Sequence, residues 1–284
     1  CTALTTVPKF DLSSCSIFTD PFYGCTALKT VPSFDINNGL ITSLAAFYTG
    51  CSGLETAPWM DTSNIEEFGS MYYGCSSLHT VPTLNTDKAT NMGHMYRGCA
   101  ILTTVPPMNT SNVTEMTRMF YGCTALTSIP WMDMSNVINA SGIFFGCSNL
   151  TELPLLDFSK VTDIGIAFQS LGNQVGIDTF PALDFSSVTN ASSAFYGAKI
   201  TNFPPNLFDN AQCTNYGGAF RNAAFNQTSV NNILVSIAVS VANAAGTLNN
   251  GIIDIAIGTN APPSGAGITA KNDLIAAGWT VTTN

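Results

Sequence analysis

The chain has 284 residues, of which 45% are hydrophobic and 10% charged, and its formal net charge is −9. Its nine Lys and Arg residues stand singly, whereas binding to nucleic acid or to an anionic membrane needs clustered cations. No apolar run approaches the roughly 18 residues that a membrane-spanning helix requires. We therefore expect no nucleic-acid partner and no membrane insertion. Because the chain begins at Cys1 within a repeat pattern and without an initiator Met, we interpret it as a fragment.

A repeat with a period of about 24 residues runs from the first residue to about residue 224. Its unit reads G-C-x-x-L-x-x-[VI]-P-x-x-[DN]-x-S-x-V-x-x-x-x-x-[MA]-[FY]-x-G-C. The proline recurs at positions 8, 32, 58, 82, 106, 130, 154, 181 and 204. Two extra positions fall within residues 36–50 and three within residues 169–180, where we expect a bend or a bulged loop. A period in the twenties with Leu at fixed offsets is typical of a leucine-rich-repeat solenoid.

Each unit is predicted to contain one strand, one turn and one helix. In the unit at 110–130, "ALTSIP" predicts a short strand, which ends at a proline that cannot donate to a ladder. "VTEMTRMFYGC" at 113–123 predicts a helix that is capped by Ser111 or Asn112 and ends near Gly122. Its apolar residues at i, i+3, i+6 and i+7 form one face, which stacking of the units would bury.

The repeat stops at Phe225, and the last 60 or so residues follow another pattern. They predict a helix at about 229–245, a strand at 251–258, a helix at 269–278 and a strand at 279–283. The ends of a solenoid expose an apolar face and an edge, which need a cap. The sequence therefore predicts an α/β repeat solenoid: a leucine-rich-repeat-like, right-handed solenoid of about nine strand-turn-helix units (residues 1–224) with an α/β C-terminal cap (residues 225–284).

The run "TSNVTEMTRMFYGCTALTSIP" resembles the repeat of the BspA-type leucine-rich-repeat surface proteins. Their units share the core D-T-S-N-V-T-x-M-x-x-M-F-x-G-C-x-x-L, and the resemblance covers residues 1 to about 224. It implies a surface protein of a bacterium, a protist or a tailed bacteriophage, with adhesion as its usual role, but it names no ligand. This sequence departs from the pattern where Ala198 and Ala223 stand in place of the repeat cysteine.

One cysteine per repeat occupies the same position, so stacked repeats would place these side chains in a ladder with a spacing of roughly 5 Å. Zinc sites use converging pairs such as C-x-x-C, and the sequence has no such pair. Disulfides between neighbours are compatible with the Cα distance, but parallel side chains point the same way. Because Ala198 and Ala223 occupy the same position, we expect buried free thiols, with disulfides and metal binding as the open alternatives. The ladder consists of Cys25, Cys51, Cys75, Cys99, Cys123 and Cys147.

An Asp or Asn stands three residues after most of the repeat prolines. We expect each side chain to accept backbone N–H groups in an Asx turn, and Asn serves this role as well as Asp. Binding of Ca²⁺ between repeats is the alternative, because hard cations favour carboxylate oxygens. The members of this series are Asp11, Asp35, Asp61, Asn85, Asn109, Asp133, Asp157 and Asp184.

Nothing in the sequence predicts catalysis. The only two histidines, His79 and His94, have no Ser, Cys or acidic partner at a recognisable motif spacing. No nucleophile elbow, phosphate-binding loop, zinc-protease motif or dinucleotide fingerprint is present. We expect a protein that is not an enzyme and that uses no cofactor or metal.

Candidate ligand contacts lie where the repeat does not constrain the residue. The position after the proline holds Trp59 and Trp131, which could stack on sugar rings or anchor a protein. The alternative is packing between the side chains of adjacent turns. We expect the candidate contact face to comprise Trp59, Trp131, His79, Glu55, Lys9 and Lys29.

These features predict a non-enzymatic, surface-exposed adhesion module. We expect a bacteriophage virion protein, a tail fibre or a decoration protein on the virion surface, that contacts a host-surface glycan or protein. The alternatives are a purely structural assembly protein, whose partners would be neighbouring virion or surface-layer subunits, and an extracellular adhesin on a bacterial cell surface. Homo-oligomerisation is compatible with each of these roles.

Overall fold

The computed structural model describes residues 1–12, 14–36, 39–244, 246–256 and 258–284. Within these ranges, successive repeats lie side by side and pair in parallel at one position per repeat. The pairing residues are 24 positions apart, except at the last pair, which spans the longer repeat. The bridges are Ser43 to Glu67, Glu67 to Asn91, Asn91 to Glu115, Glu115 to Asn139, Asn139 to Asp163, and Asp163 to Asn190. The sequence period is therefore the period of the stack.

The predicted helix at 113–123 is wrong. Residues 117–122 form consecutive turns, and from Met119 to Cys123 every second N–H donates to the carbonyl three residues earlier, as from Cys123 to Phe120 (3.0 Å). The intervening N–H groups donate to the next repeat, as from Gly122 to Phe145 (2.7 Å). Arg118 (φ 54°) and Gly122 (φ 72°) both take left-handed backbone conformations, which an α-helix does not tolerate. No α-helix occurs within the described residues before Gln227.

The strand predicted before each proline forms fully only late in the stack. In the earlier repeats it is reduced to single bonds between neighbours, such as Thr127 N–H to Thr103 O (3.0 Å), and to one bridge between Thr56 and Thr80. At the equivalent position further along, β1 (Ile177–Thr179) pairs in parallel with β2 (Ile200–Asn202). The three extra positions within 169–180 form turns that precede β1, whereas positions 37 and 38 of the first insertion lie outside the described residues.

The elements of the cap follow the predicted order. β3 (Asn215–Tyr216) lies in the last repeat. It is followed by α1 (Gln227–Asn243), β4 (Ile252–Asp254), α2 (Ala266–Ala276) and β5 (Thr280–Thr282). The parallel sheet β3-β4-β5 continues the pairing of the repeats, because Asn215 stands where Asn190 stands one repeat earlier. The predicted helix and strand are confirmed at α1 and β4, although residues 245 and 257 of these predictions lie outside the described residues.

Three buried serines on α1 bind the backbone of the last repeats. Ser229 Oγ accepts from Phe203 N–H (2.8 Å) and donates to Thr201 O (2.9 Å), and Ser236 Oγ accepts from Phe208 N–H (2.7 Å). Ser240 Oγ donates to Ala211 O. Buried backbone groups need such partners, so α1 supplies the bonds that one more repeat would otherwise supply.

A continuous aromatic column fills the interior of the stack. The residue three positions before each cysteine packs on its counterpart in the next repeat, with ring centroids 5.6 Å apart from Tyr48 to Tyr72 and from Tyr72 to Tyr96. The column continues through Phe120 and Phe144 at 5.7 and 5.9 Å. These rings are at most 1% exposed. The stack is therefore held by one apolar core, and its outward positions are left to vary.

Candidate functional site

The residues that directly follow the repeat prolines form one exposed row, which we call the post-proline row. They point outward because the next residue, such as Met60 or Met132, is buried in the core. Trp59 and Trp131 are each 63% exposed, and Leu155 is 64% exposed. The full row is Lys9, Ser33, Trp59, Thr83, Pro107, Trp131, Leu155, Ala182 and Pro205, all of them exposed. The two tryptophans are three repeats apart, about 14 Å at the usual spacing of paired strands.

A cleft of about 440 Å³ opens at the N-terminal part of this row. It brings Lys9 together with Trp59, two residues of the predicted contact face. Its other described lining residues are Ser33, Phe34, Asp35 and Asp61. Asp35 and Asp61 belong to the Asx series, and Asp61 Oδ1 accepts from Ser63 N–H (3.0 Å). Because the turn accounts for Asp61, the two carboxylates of the cleft do not by themselves point to catalysis.

The other predicted contact residues form a second row, at the strand position four residues earlier. Lys29 Nζ lies 3.0 Å from Glu55 Oε1, with the two side chains 70% and 46% exposed. The backbone N–H of His79 donates to Glu55 O (3.1 Å), so these three residues come from successive repeats. Exposed ion pairs of this kind contribute about 0–1 kcal/mol. Neither Glu55 nor His79 is among the described residues that line the cleft, so the expected single face divides into two rows.

The repeat cysteines are buried and their thiols are free. From Cys51 to Cys147, each ladder Sγ donates to a carbonyl of the preceding repeat, as from Cys75 to Tyr48 (3.1 Å) and from Cys123 to Tyr96 (3.1 Å). Burial raises the pKa of the Cys51 thiol to about 11 and that of Cys123 to about 12. A thiol must lose its proton to act as a nucleophile or metal ligand, so the five thiols from Cys51 to Cys147, whose pKa burial raises, are unreactive at neutral pH. Within the described residues, no three His, Cys, Asp or Glu side chains form a group that could hold a metal ion.

Six of the eight members of the Asp and Asn series form Asx turns, whereas for Asp11 and Asp35 the residue two positions later lies outside the described residues. The side-chain oxygen accepts the N–H two residues later at 2.8–3.1 Å in six repeats, at Asp61, Asn85, Asn109, Asp133, Asp157 and Asp184. Hydrogen bonds from the hydroxyl and the N–H of Ser135 lower the pKa of Asp133, and those from Ser159 lower the pKa of Asp157. The turn is made equally by Asp and Asn, which explains why both occur in the series.

Comparison with protein families gives three overlapping matches, over residues 4–100, 42–157 and 127–233, to the family described as "Mycoplasma protein of unknown function, DUF285". The chain belongs to this family. Three overlapping matches along one chain agree with a repeated unit. No curated protein matches the chain. In the described part of the molecule, neither helix combines the length and the apolar character needed to cross a bilayer.

In this DUF285 member, sequence reasoning missed a second variable position, two residues before the cysteine. It holds Tyr73, Arg97, Tyr121 and Phe145 in successive repeats. Their side chains stack on one another at the surface, with the Arg97 guanidinium 4.7 Å from the centroid of the Tyr121 ring. Their 24-residue spacing was available in the sequence, but the predicted helix gave them no common environment.

Proposed function

We propose that the chain is a non-enzymatic, surface-exposed binding module whose post-proline row contacts a host-surface glycan or protein. The observation that carries the proposal is the 63% exposure of both Trp59 and Trp131 on that row. Tryptophan is among the side chains most enriched at binding hot spots. Two of them on one rigid row give two anchors at a fixed separation.

The chemistry of the row favours a ligand of low charge. Between the two tryptophans stand Thr83 and Pro107, which are both uncharged and exposed. The only charged member of the row is Lys9, and it lines a cleft in which Asp35 and Asp61 offset its charge. A flat apolar ring beside neutral neighbours suits the apolar face of a sugar ring, with hydrogen bonds from hydroxyl groups nearby. We therefore propose a neutral glycan as the first ligand to test.

Two features support a surface role. The first is the resemblance of the repeat to that of the BspA-type surface proteins, and the second is the family match. We propose that the stack is a leucine-rich-repeat-like solenoid of the BspA type, in which turns replace the helix. We propose the virion surface or the bacterial cell surface as its location. The family's description as a Mycoplasma protein supports the second of these.

The test is a glycan array and a cell-binding assay with the chain and with Trp59→Ala, Trp131→Ala and the double variant. Truncation of a hot-spot residue costs about 2 kcal/mol or more, so each single variant is expected to bind about 30-fold more weakly. Ile138→Ala is the matched control, because Ile138 is 55% exposed but lies outside the post-proline row. It should bind as the parent chain does.

Binding that survives in the double variant would refute adhesion through this row. The purely structural alternative predicts no glycan or cell binding even by the parent chain, together with a post-proline row buried against a neighbouring subunit in a map of the assembled particle. A map that leaves the row open to solvent would count against the structural alternative.

A further inference from the structure

Four side chains on the turn side of the molecule form a cation–aromatic stack, made of Tyr73, Arg97, Tyr121 and Phe145. The Arg97 guanidinium lies between two rings, 5.0 Å from the Tyr73 centroid and 4.7 Å from the Tyr121 centroid. Tyr121 in turn stacks on Phe145, with centroids 4.1 Å apart and planes 2° apart. Rings on both faces hold the guanidinium plane in one orientation. Its N–H groups lie in that plane and point outward from its edge.

A second arginine lies in the same cluster. His94 and Arg118 occupy equivalent positions in adjacent repeats, where His94 N–H donates to Thr117 O (2.8 Å). Arg97 Nη1 donates to His94 Nδ1 at 3.5 Å; the guanidinium has no acceptor, so the histidine accepts. Desolvation, followed by the charges of Arg97 and Arg118, lowers the pKa of His94. His94 therefore stays neutral at pH 7, and the two guanidiniums provide the positive charge.

The cluster contains donors without partners. Among the described residues, neither Arg97 nor Arg118 has a carboxylate within ion-pair distance. Arg118 Nε and Thr117 Oγ1 are buried and make no hydrogen bond to any residue that the structure describes. Glu115 is the nearby acid, and its Oε1 accepts from Thr117 N–H (2.6 Å). Buried donors in native proteins nearly always have a partner. Unlike the unpaired phenol of Tyr72 in the core, these two atoms belong to side chains that are only partly buried, where a ligand can supply the partner.

We propose that Arg97 and Arg118, with Thr117, form a binding site for the carboxylate of an acidic sugar residue. A carboxylate is planar and matches the guanidinium edge in two parallel hydrogen bonds. A sugar also carries hydroxyl groups that can pair with Thr117 Oγ1. The chain has a net charge of −9, which repels a polyanion or a strongly acidic peptide but tolerates one carboxylate beside two arginines. This site is separate from the post-proline row, and its existence does not depend on that row binding anything.

The test uses the full chain and two matched ligands, methyl β-glucuronide and methyl β-glucoside, which differ by the carboxylate. Ligand-observed NMR titration should give a Kd on the order of 1 mM for the glucuronide, as expected for so small a ligand. Binding of the glucoside should be at least 10-fold weaker. The glucuronide Kd should also rise with added salt, because the attraction is electrostatic.

Arg118→Gln and Arg97→Gln should each weaken glucuronide binding at least 10-fold. Arg97→Lys should weaken it as well, because lysine keeps the charge but lacks the planar fork. Lys88→Gln is the control, since Lys88 is an exposed cation whose Nζ is bonded to Asn64 Oδ1 (2.9 Å), and it should leave the Kd unchanged. Circular dichroism of each variant checks that it is folded.

Three results would overturn the proposal. The first is equal binding, or no binding, of the glucuronide and the glucoside. The second is an equal loss of affinity in Lys88→Gln and in the arginine variants, which would indicate attraction to net charge only. The third is tighter binding of a triglutamate peptide than of the glucuronide, which would replace the sugar by an acidic protein segment. Failure of the tryptophan variants to lose adhesion leaves this proposal standing, because the two surfaces share no residue.

Discussion

The substitution Tyr72→Phe should stabilise the protein, because the Tyr72 hydroxyl is buried without a hydrogen-bond partner. The side chain is fully buried, and its Oη makes no hydrogen bond within the described part of the chain. Burial also raises the pKa of Tyr72 well above its ordinary value, so the phenol is neutral. The cost of burying it is therefore the hydration that the hydroxyl group loses on folding. A buried unsatisfied polar group costs about 1–3 kcal/mol. Phenylalanine keeps the ring, and therefore keeps the stacking at 5.6 Å on Tyr48 and Tyr96.

We expect Tyr72→Phe to raise the free energy of unfolding by about 1 kcal/mol, because the small void left by the oxygen offsets part of the gain. The measurement is urea unfolding followed by fluorescence and by circular dichroism, since a stack of repeats does not have to unfold in one step. Tyr96→Phe is the matched control. Its Oη lies 3.9 Å from Met108 Sδ, a weak contact whose loss should cancel most of the gain.

A decrease in stability for Tyr72→Phe of about 1 kcal/mol or more would refute this reasoning, because it would mean that the hydroxyl has a partner such as a buried water. Phe120 and Phe144 already occupy the same column, so a steric clash of phenylalanine would not explain such a decrease. Equal stabilisation by Tyr72→Phe and Tyr96→Phe would show instead that the contact with Met108 contributes nothing.

Two further predictions concern the turns and the cap. Hydrogen bonds from Ser135 lower the pKa of Asp133 in the folded state, so its contribution to stability is present above the unfolded pKa of about 3.9 and is lost as the pH falls through the folded pKa. Asp133→Asn should keep the turn, as Asn109 does, and should flatten the dependence of the urea midpoint on pH between 6 and 2; an unchanged pH dependence would contradict this. Ser236→Ala should leave the buried Phe208 N–H without its acceptor and lower the free energy of unfolding by about 1–3 kcal/mol, whereas Ser76→Ala at an exposed position should change it by less than about 0.5 kcal/mol. Equal urea midpoints for the two serine variants would contradict the role of α1 in bonding the last repeats.

The sequence predicted which side chains face inward, but not the backbone that carries them. Val113, Met116, Met119 and Phe120 were assigned to one apolar face, and all four are fully buried. Their spacing, however, is common to an α-helix and to a series of turns that each span three residues. The choice depends on where the backbone N–H groups donate, and half of these groups donate to a neighbouring repeat. That partner lies 23 residues away for Gly122 and Phe145, so a local pattern cannot reveal it.

The candidate sites also differ in how far the sequence could predict them. The outward position of Trp59 and Trp131 could be predicted, because the proline fixes the local register and the next residue belongs to the core. Predicting the cleft between Lys9 and Trp59 would have required the register of three successive repeats, since its lining residues come from all three. Predicting the cation–aromatic stack would have required the correct backbone conformation as well as the register. In a helix, Arg97 and Tyr121 would have been surface residues of separate elements, whereas in the turns they are nearest neighbours.

This geometry allows one repeat to contribute to both of the recognition surfaces that we propose. Each repeat contributes one residue to the post-proline row and one to the position two residues before the cysteine, and neither residue takes part in the aromatic column or the cysteine ladder. A substitution at either position therefore changes the surface with little effect on the core. The same separation limits what each surface can bind, because a row gains only one side chain for each repeat, about 5 Å apart. An extended ligand that follows the stack, such as a glycan chain, can contact several members of a row, whereas a compact ligand contacts two or three.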